Sequence, residues 1–199
     1  MPKIVDHERR RAEIVQTTWR MIARHGLDRA TLREVAAEAG YANGAIKPYF
    51  PAKSDLLEAT FRHVFSRTND RGAAATQGLD GFDALRAFCL EVLPLDADRL
   101  DEARVVIAFW QLALHDPAQA EVNDSAMLQW RSSIRGWLDA ARGADDDDDD
   151  GRPPVQTLAE TLLTFLLGAQ VAAVFDPDFN SPDQLVAQLD GQLDLMRRR

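Results

Sequence analysis

A chain of 199 residues, 46% hydrophobic and 28% charged, has the material for one good core or a small domain plus a larger one, and its composition is that of an ordinary globular protein. Its single cysteine, Cys89, excludes an internal disulfide and fits a reducing compartment. The net charge of −9 hides a split: residues 1–67 carry 12 basic and 8 acidic residues (+4), and the remainder carries 11 and 24 (−13). A small cationic segment ahead of a larger acidic body suits a protein that meets a polyanion at one end only.

The first stretch, "MPKIVDHERRRAEIV", lacks the apolar core of a signal peptide. It leads into a helix over 8–26 with Ile14, Val15, Trp19, Ile22 and Ala23 near one face and Gly26 at its C-cap. Thr31 and Glu34 then form a capping box that opens a helix of about two turns, closed by Gly40. "YANGAIKPYF" follows (41–50). Asn43-Gly44 is a favoured turn pair, but no alternating strands flank it, so a short second helix is expected here. Ile46 and Phe50, four apart, share its inward side and leave Asn43, Ala45, Lys47 and Pro48 on the other. Pro48 removes one backbone bond near the end of this helix, and the missing side chain at Gly44 eases the clash.

Residues 53–68 read as a longer amphipathic helix with Leu56, Leu57, Phe61, Val64 and Phe65 inside, and 69–80 as a small, polar linker or a frayed helix end. Further helices are expected over 81–94, stopped by Pro94, over 96–116, stopped by Pro117, and over 118–143. The run Asp145–Asp150 repels itself and marks 144–154 as an acidic loop. It lacks the alternating ligands of a calcium site. The segment 155–175 is the most apolar helix. Its apolar stretch 162–175 is too short to span a bilayer, so no membrane partner and a cytoplasmic location are expected. "QLVAQLDGQLDLMRRR" closes an all-α chain of about nine helices.

A capped two-turn helix, a glycine turn and a second short helix make a helix-turn-helix, which presents its second helix to a DNA major groove. The run "TLREVAAEAGYANGAIKPYFPAKSDLL" resembles the DNA-binding signature of the TetR family of transcriptional repressors, and the likeness covers residues 8–65. It implies a DNA-binding domain at 1–52 and a ligand-binding and dimerisation domain at 53–199, with 53–68 as the connecting helix. The resemblance implies that Asn43, Gly44, Ala45, Lys47 and Pro48 face the bases. There Asn43 pairs with adenine or caps the helix, and Lys47 reaches guanine or a phosphate. Thr31, Tyr49 and Lys53 match positions facing the DNA backbone, and Lys3, Arg9, Arg10 and Arg11 form a basic start that can lie along phosphates. Two positions depart from the family pattern. Ala42 stands where a small hydroxyl residue is usual, and Pro48 stands where an aromatic, His or Arg precedes Tyr-Phe.

"AFWQLALHDP" (108–117) is similar to the ligand domain of choline-sensing repressors of the betaine pathway, although no ligand is transferred from that likeness. The family implies an effector cavity among the later helices, lined by Phe88, Phe109, Trp110, Trp130, Ile134 and Phe165, whose faces can hold a cation. Ordinary core packing accounts for the same residues. The family also implies a homodimer through the last two helices.

The partners expected are therefore double-stranded operator DNA, a small-molecule effector and a second copy of the chain. The four histidines show no metal-ligand spacing, and Cys89 reads as a small buried hydrophobe. No nucleophile–base pair, phosphate loop or cofactor motif is present, so neither a cofactor nor enzyme activity is expected. The alternative reading is a helical small-molecule-binding protein with a vestigial DNA-binding head.

Overall fold

The computed structural model describes residues 7–42, 44–142 and 153–198. The fold is all-α, with eight α-helices and one 3-10 turn among the described residues: α1 His7–His25, the 3-10 turn Leu27–Arg29, α2 Leu32–Glu38, α3 Lys53–Ala75, α4 Gly81–Val92, α5 Ala97–Ala113, α6 Pro117–Arg142, α7 Val155–Phe175 and α8 Pro182–Arg198. Lys3, Asn43, the run Asp145–Asp150 and Arg199, all named above, lie outside the described residues.

Contacts divide the chain into two compact units, Met1–Ser66 with Arg104–Val122, and Arg67–Ala103 with Asn123–Arg199. In the first unit, Ile14, Val15, Val35, Ala36, Ile46, Phe50 and Leu56 pack α1, α2, the 44–50 segment and the start of α3 into one cluster. A second cluster joins Ile22, Ala30, Leu57 and Val64 to Val105 and Ala108 of α5. Phe61 stacks on Phe109 with ring centroids 4.1 Å apart. The second unit buries Leu85, Phe88 and Cys89 of α4, Trp130, Ile134 and Leu138 of α6, Leu162, Leu163 and Leu166 of α7, and Leu185, Leu189 and Leu193 of α8. Burial pushes the Cys89 thiol far up, as expected for a cysteine used as a hydrophobe. Arg86 of α4 holds Asp190 of α8 at 2.6 Å.

Helix ends follow local chemistry. Gly26 (φ +77) and Gly40 (φ +74) close α1 and α2 in left-handed conformations that favour glycine. After α2, the Gly40 amide bonds Ala37 O and the Tyr41 amide bonds Ala36 O, the paired pattern of a Schellman motif. Asp96 accepts the Arg99 amide at the start of α5. Pro117, expected as a stop, opens α6 at its first position, where its missing N–H costs nothing, while α5 ends earlier at Ala113.

Three expectations are corrected. First, residues 69–75 are no linker, because α3 runs on to Ala75. Their polar side chains point to partners. Arg71 grips Glu102, which is 4% exposed, with Nη1–Oε1 2.9 Å and Nη2–Oε2 2.7 Å, and reaches Glu91 at 3.2 Å. Asn69 accepts the Trp130 indole N–H at 2.8 Å. Gly72 passes so close to Phe88 that a Cβ there would stand 3.0 Å from the ring.

Second, the stretch 162–175, expected to be too short to span a bilayer, belongs to a helix whose 21 residues, the expected 155–175, are long enough. By length and composition α7 is able to cross a bilayer, although its buried face packs within the second unit and it contacts α8. Third, the segment after Gly40 is not a helix.

Candidate nucleic-acid interface and effector region

Residues 44–49 form successive turns. The amides of Ala45, Lys47 and Tyr49 bond the carbonyls of Ala42, Gly44 and Ile46 at 3.0, 3.2 and 2.9 Å, and the Phe50 amide also bonds Ile46 O. Gly44 sits at φ +89, in the third position of the turn closed by Ala42 and Ala45, where positive φ selects glycine. A Cβ there would meet nothing within 4 Å, so Gly44 relieves no clash with Pro48, contrary to expectation, and its role is backbone conformation. Pro48 breaks no bond it was expected to break, since the Gly44 carbonyl already takes the Lys47 amide.

The segment nevertheless has the sidedness that the sequence implies. Ile46 and Phe50 are fully buried, Gly44, Lys47 and Pro48 are exposed, and Ala45 is half-buried. Thr31 caps α2: its hydroxyl accepts the Glu34 amide at 3.2 Å and donates to the Glu34 carboxylate at 2.8 Å. That hydroxyl contact, ahead of Arg29 and Arg33, holds the Glu34 carboxyl below its ordinary value. Lys53 Nζ donates to Leu27 O at 2.9 Å, tying the start of α3 to the 3-10 turn. Lys53, expected to face the DNA backbone, therefore has an internal partner.

The basic start of α1 lies against this segment. Arg11 Nη1 donates to Tyr49 O at 2.9 Å, and its guanidinium lies 4.3 Å from the Phe50 ring centroid. Arg10 lies 5.1 Å over the Tyr41 ring. Contact with the Tyr49 phenol, then with Tyr41, raises the Arg10 guanidinium further. Tyr41 donates to Glu13 at 2.7 Å, which lowers the Glu13 carboxyl and raises the Tyr41 phenol. Sequence reading missed this set. The available signal was Pro51, which offers no amide just after Tyr49-Phe50.

The six expected effector residues divide between the two units. Phe109 and Trp110 belong to the first unit, where Phe109 is stacked on Phe61 and Trp110 is half-buried. Phe88, Trp130, Ile134 and Phe165 belong to the second. There Phe88 meets Trp130 edge-on at 5.7 Å and Trp137 at 5.2 Å. Asn69, the polar partner of Trp130, was not foreseen because it fell in the supposed linker. A cleft of about 440 Å³ opens on the first unit beside Met21, His25, Arg29, Glu34, Ala37 and Glu38, and shares none of the six.

A capped short helix, a left-handed glycine turn and an exposed basic segment over a buried Ile–Phe pair are the parts of a helix-turn-helix transcriptional regulator. The comparisons carry this further. Residues 14–60 match the model of bacterial regulatory proteins of the tetR family, and residues 82–198 match that of the BetI-type transcriptional repressor C-terminal domain. The chain belongs to the TetR family of transcriptional regulators and is a DNA-binding regulator.

It is 29% identical over 182 residues to the HTH-type transcriptional regulator PksA of Bacillus subtilis, covering 89% of this chain and 84% of that one. It is 36% identical over 121 residues to the regulator BetI of Burkholderia lata, covering 59% of this chain and 61% of that one. Among solved structures, a transcriptional regulator from Rhodococcus sp. RHA1 superposes with TM-score 0.83 at 27% identity, covering 94% and 96% of the two chains. A regulator from Saccharomonospora viridis in complex with choline superposes with TM-score 0.84 at 23% identity over 94% and 96%, which attests the fold.

Proposed function

We propose that the protein is a homodimeric repressor that reads operator DNA with residues 44–49 and leaves it when a small molecule occupies its second unit. The observation that supports the reading segment is the exposure of Lys47 and Pro48 over the buried Ile46–Phe50 pair. Lys47 reaches a guanine edge or a phosphate, and Ala45 suits a thymine methyl. The dimer forms through the outer faces of α7 and α8 and presents two such segments to half-sites one helical turn, or a multiple, apart.

An effector releases DNA only by binding the DNA-free form more tightly, and the shift equals that difference in affinity. The aromatic group Phe88, Trp130 and Trp137 suits an apolar or cationic small molecule. The choline held by the Saccharomonospora viridis regulator makes choline the first probe. The protein acts by binding and not by turnover, in the cytoplasm and away from the membrane.

The test is selection of duplexes from a random pool, followed by fluorescence anisotropy at fixed salt. The expected result is a two-half-site sequence bound specifically, weakened by Lys47→Ala and released by one of a panel of choline and related small cations. A protein that enriches no sequence overturns the reading.

A further inference from the structure

The arginines at the start of α1 read most simply as phosphate contacts, but their geometry assigns Arg11 a different task. Residues 44–49 lack the regular bonding of a helix and are held by successive turns. The last carbonyl of the segment, that of Tyr49, closes no turn with the residues two and three ahead. Pro51 has no N–H, and the Ala52 amide is taken by the Asp55 carboxylate at 2.9 Å. Arg11 supplies a donor to it at 2.9 Å, while its guanidinium lies over the ring of Phe50, the buried anchor of the same segment. One side chain thus fixes both the backbone end and the core anchor of the stretch that carries Lys47 and Pro48. Arg10 over Tyr41 and the Tyr41–Glu13 bond fix the chain on the other side of that stretch.

We infer that Arg11 is a positioning residue that sets the pose of the reading segment from within the protein and so determines base specificity, rather than a contact to the DNA backbone. The inference rests on the proposal that residues 44–49 read DNA. Its logic is that a segment without helical bonding needs an external clamp to hold one pose, and pose decides which base edges Lys47 reaches.

The two roles differ in salt dependence. A phosphate contact adds about 0.9 to the slope of log affinity against log salt, on every sequence alike, whereas a positioning residue adds nothing to the slope. The experiment uses the full chain, the duplex it enriches from a random pool and a scrambled duplex of the same length, between roughly 50 and 200 mM KCl. Arg11→Ala and Arg11→Met are compared with wild type. The methionine keeps apolar cover on Phe50 and removes only the donor.

Both variants are expected to lose roughly tenfold of the specific-over-scrambled ratio, with the salt slope and scrambled-duplex affinity unchanged. Retained scrambled-duplex affinity also shows that the variants are folded. A slope lowered by about one, with both duplexes weakened equally, overturns the inference and makes Arg11 a phosphate contact. Lys47→Ala separates the two claims: if it leaves the ratio unchanged, the reading segment is misassigned and the inference falls with it. If it lowers the ratio while the Arg11 variants do not, only the inference falls.

Discussion

Gly44 shows how a single residue constrains the 44–49 segment. Its φ of +89 is open to glycine and costs an L-residue about 1–2 kcal/mol, while the space around it is empty. Gly44→Ala should therefore act through conformation alone. Its exposed segment can relax locally, so unfolding free energy is expected to fall by about 1 kcal/mol or less, while specific DNA affinity falls roughly tenfold. Urea unfolding and anisotropy on the selected duplex check the two halves, and unchanged affinity would mean that the left-handed turn is not kept on DNA.

Thr31 offers a second test at this scale. Removing its cap with Thr31→Ala should cost about 1 kcal/mol near neutral pH. The Glu34 carboxyl is lowered from 4.5 in the folded state, so its contribution is full above 4.5 and is lost as pH falls through the folded value. The gap in melting temperature between wild type and Thr31→Ala should narrow as pH drops below about 4.5. A gap that stays constant to pH 3 would detach Glu34 from the cap. Thr31–Glu34 and Ile46–Phe50 were legible in the sequence because each is a fixed local spacing. The Gly44 turn was misread because a buried pair four apart suits a helix and two consecutive turns equally well.

Elements are where the sequence misled most. "NDRGAAATQG" has the composition of a linker, and helical periodicity is faint in it because its inward residues are polar or lack a side chain. Each has a tertiary reason that composition does not announce. Asn69 receives Trp130, Arg71 bridges α4 and α5 through Glu91 and Glu102, and Gly72 yields its side-chain space to Phe88. The α3 helix thus continues because its partners pull it on, a tertiary override of weak propensity. Glu102 is the sensitive member, since only 6% of its side chain is exposed against 29% for Arg71.

Arg71→Ala leaves that carboxylate with Arg67, at 3.3 Å, and the Thr68 hydroxyl, at 3.5 Å, and should cost about 3 kcal/mol. The paired change Arg71→Met with Glu102→Leu removes both charges and should recover most of the loss. Urea unfolding of the two singles and the double decides this. A double variant as weak as the singles would show that the ion pair is not what holds α3 here.

At the scale of the whole molecule, charge and apolar surface were legible while grouping was not. The acidic later part and the apolar α7 are plain in the sequence. That Arg104–Val122 groups with Met1–Ser66 depends on contacts such as the Phe61–Phe109 stack, between residues 48 positions apart, which periodicity cannot reveal. The apolar character of α7 raises the last question, that of what covers it. Only 39% of its most apolar window is buried, and Phe175, Phe179 and Leu195 are 75%, 78% and 55% exposed at the end of α7, just after it and on α8. An apolar face of this kind needs a partner.

A second copy suits it better than a bilayer. The buried side of α7 is already used by the core, and α8, which contacts it, carries Asp183, Arg197 and Arg198 in its end turns. In a dimer, two reading segments on one duplex act at the effective concentration that their linkage sets, so loss of the dimer should cost more than 100-fold on a two-half-site duplex and little on one half-site. The double variant Phe175→Asp, Phe179→Asp should therefore sediment as a monomer at concentrations where the wild type is a dimer, and should bind full and half duplexes with nearly equal affinity. If it remains dimeric and keeps its preference for the full duplex, these phenylalanines lie outside the interface and the copies meet elsewhere.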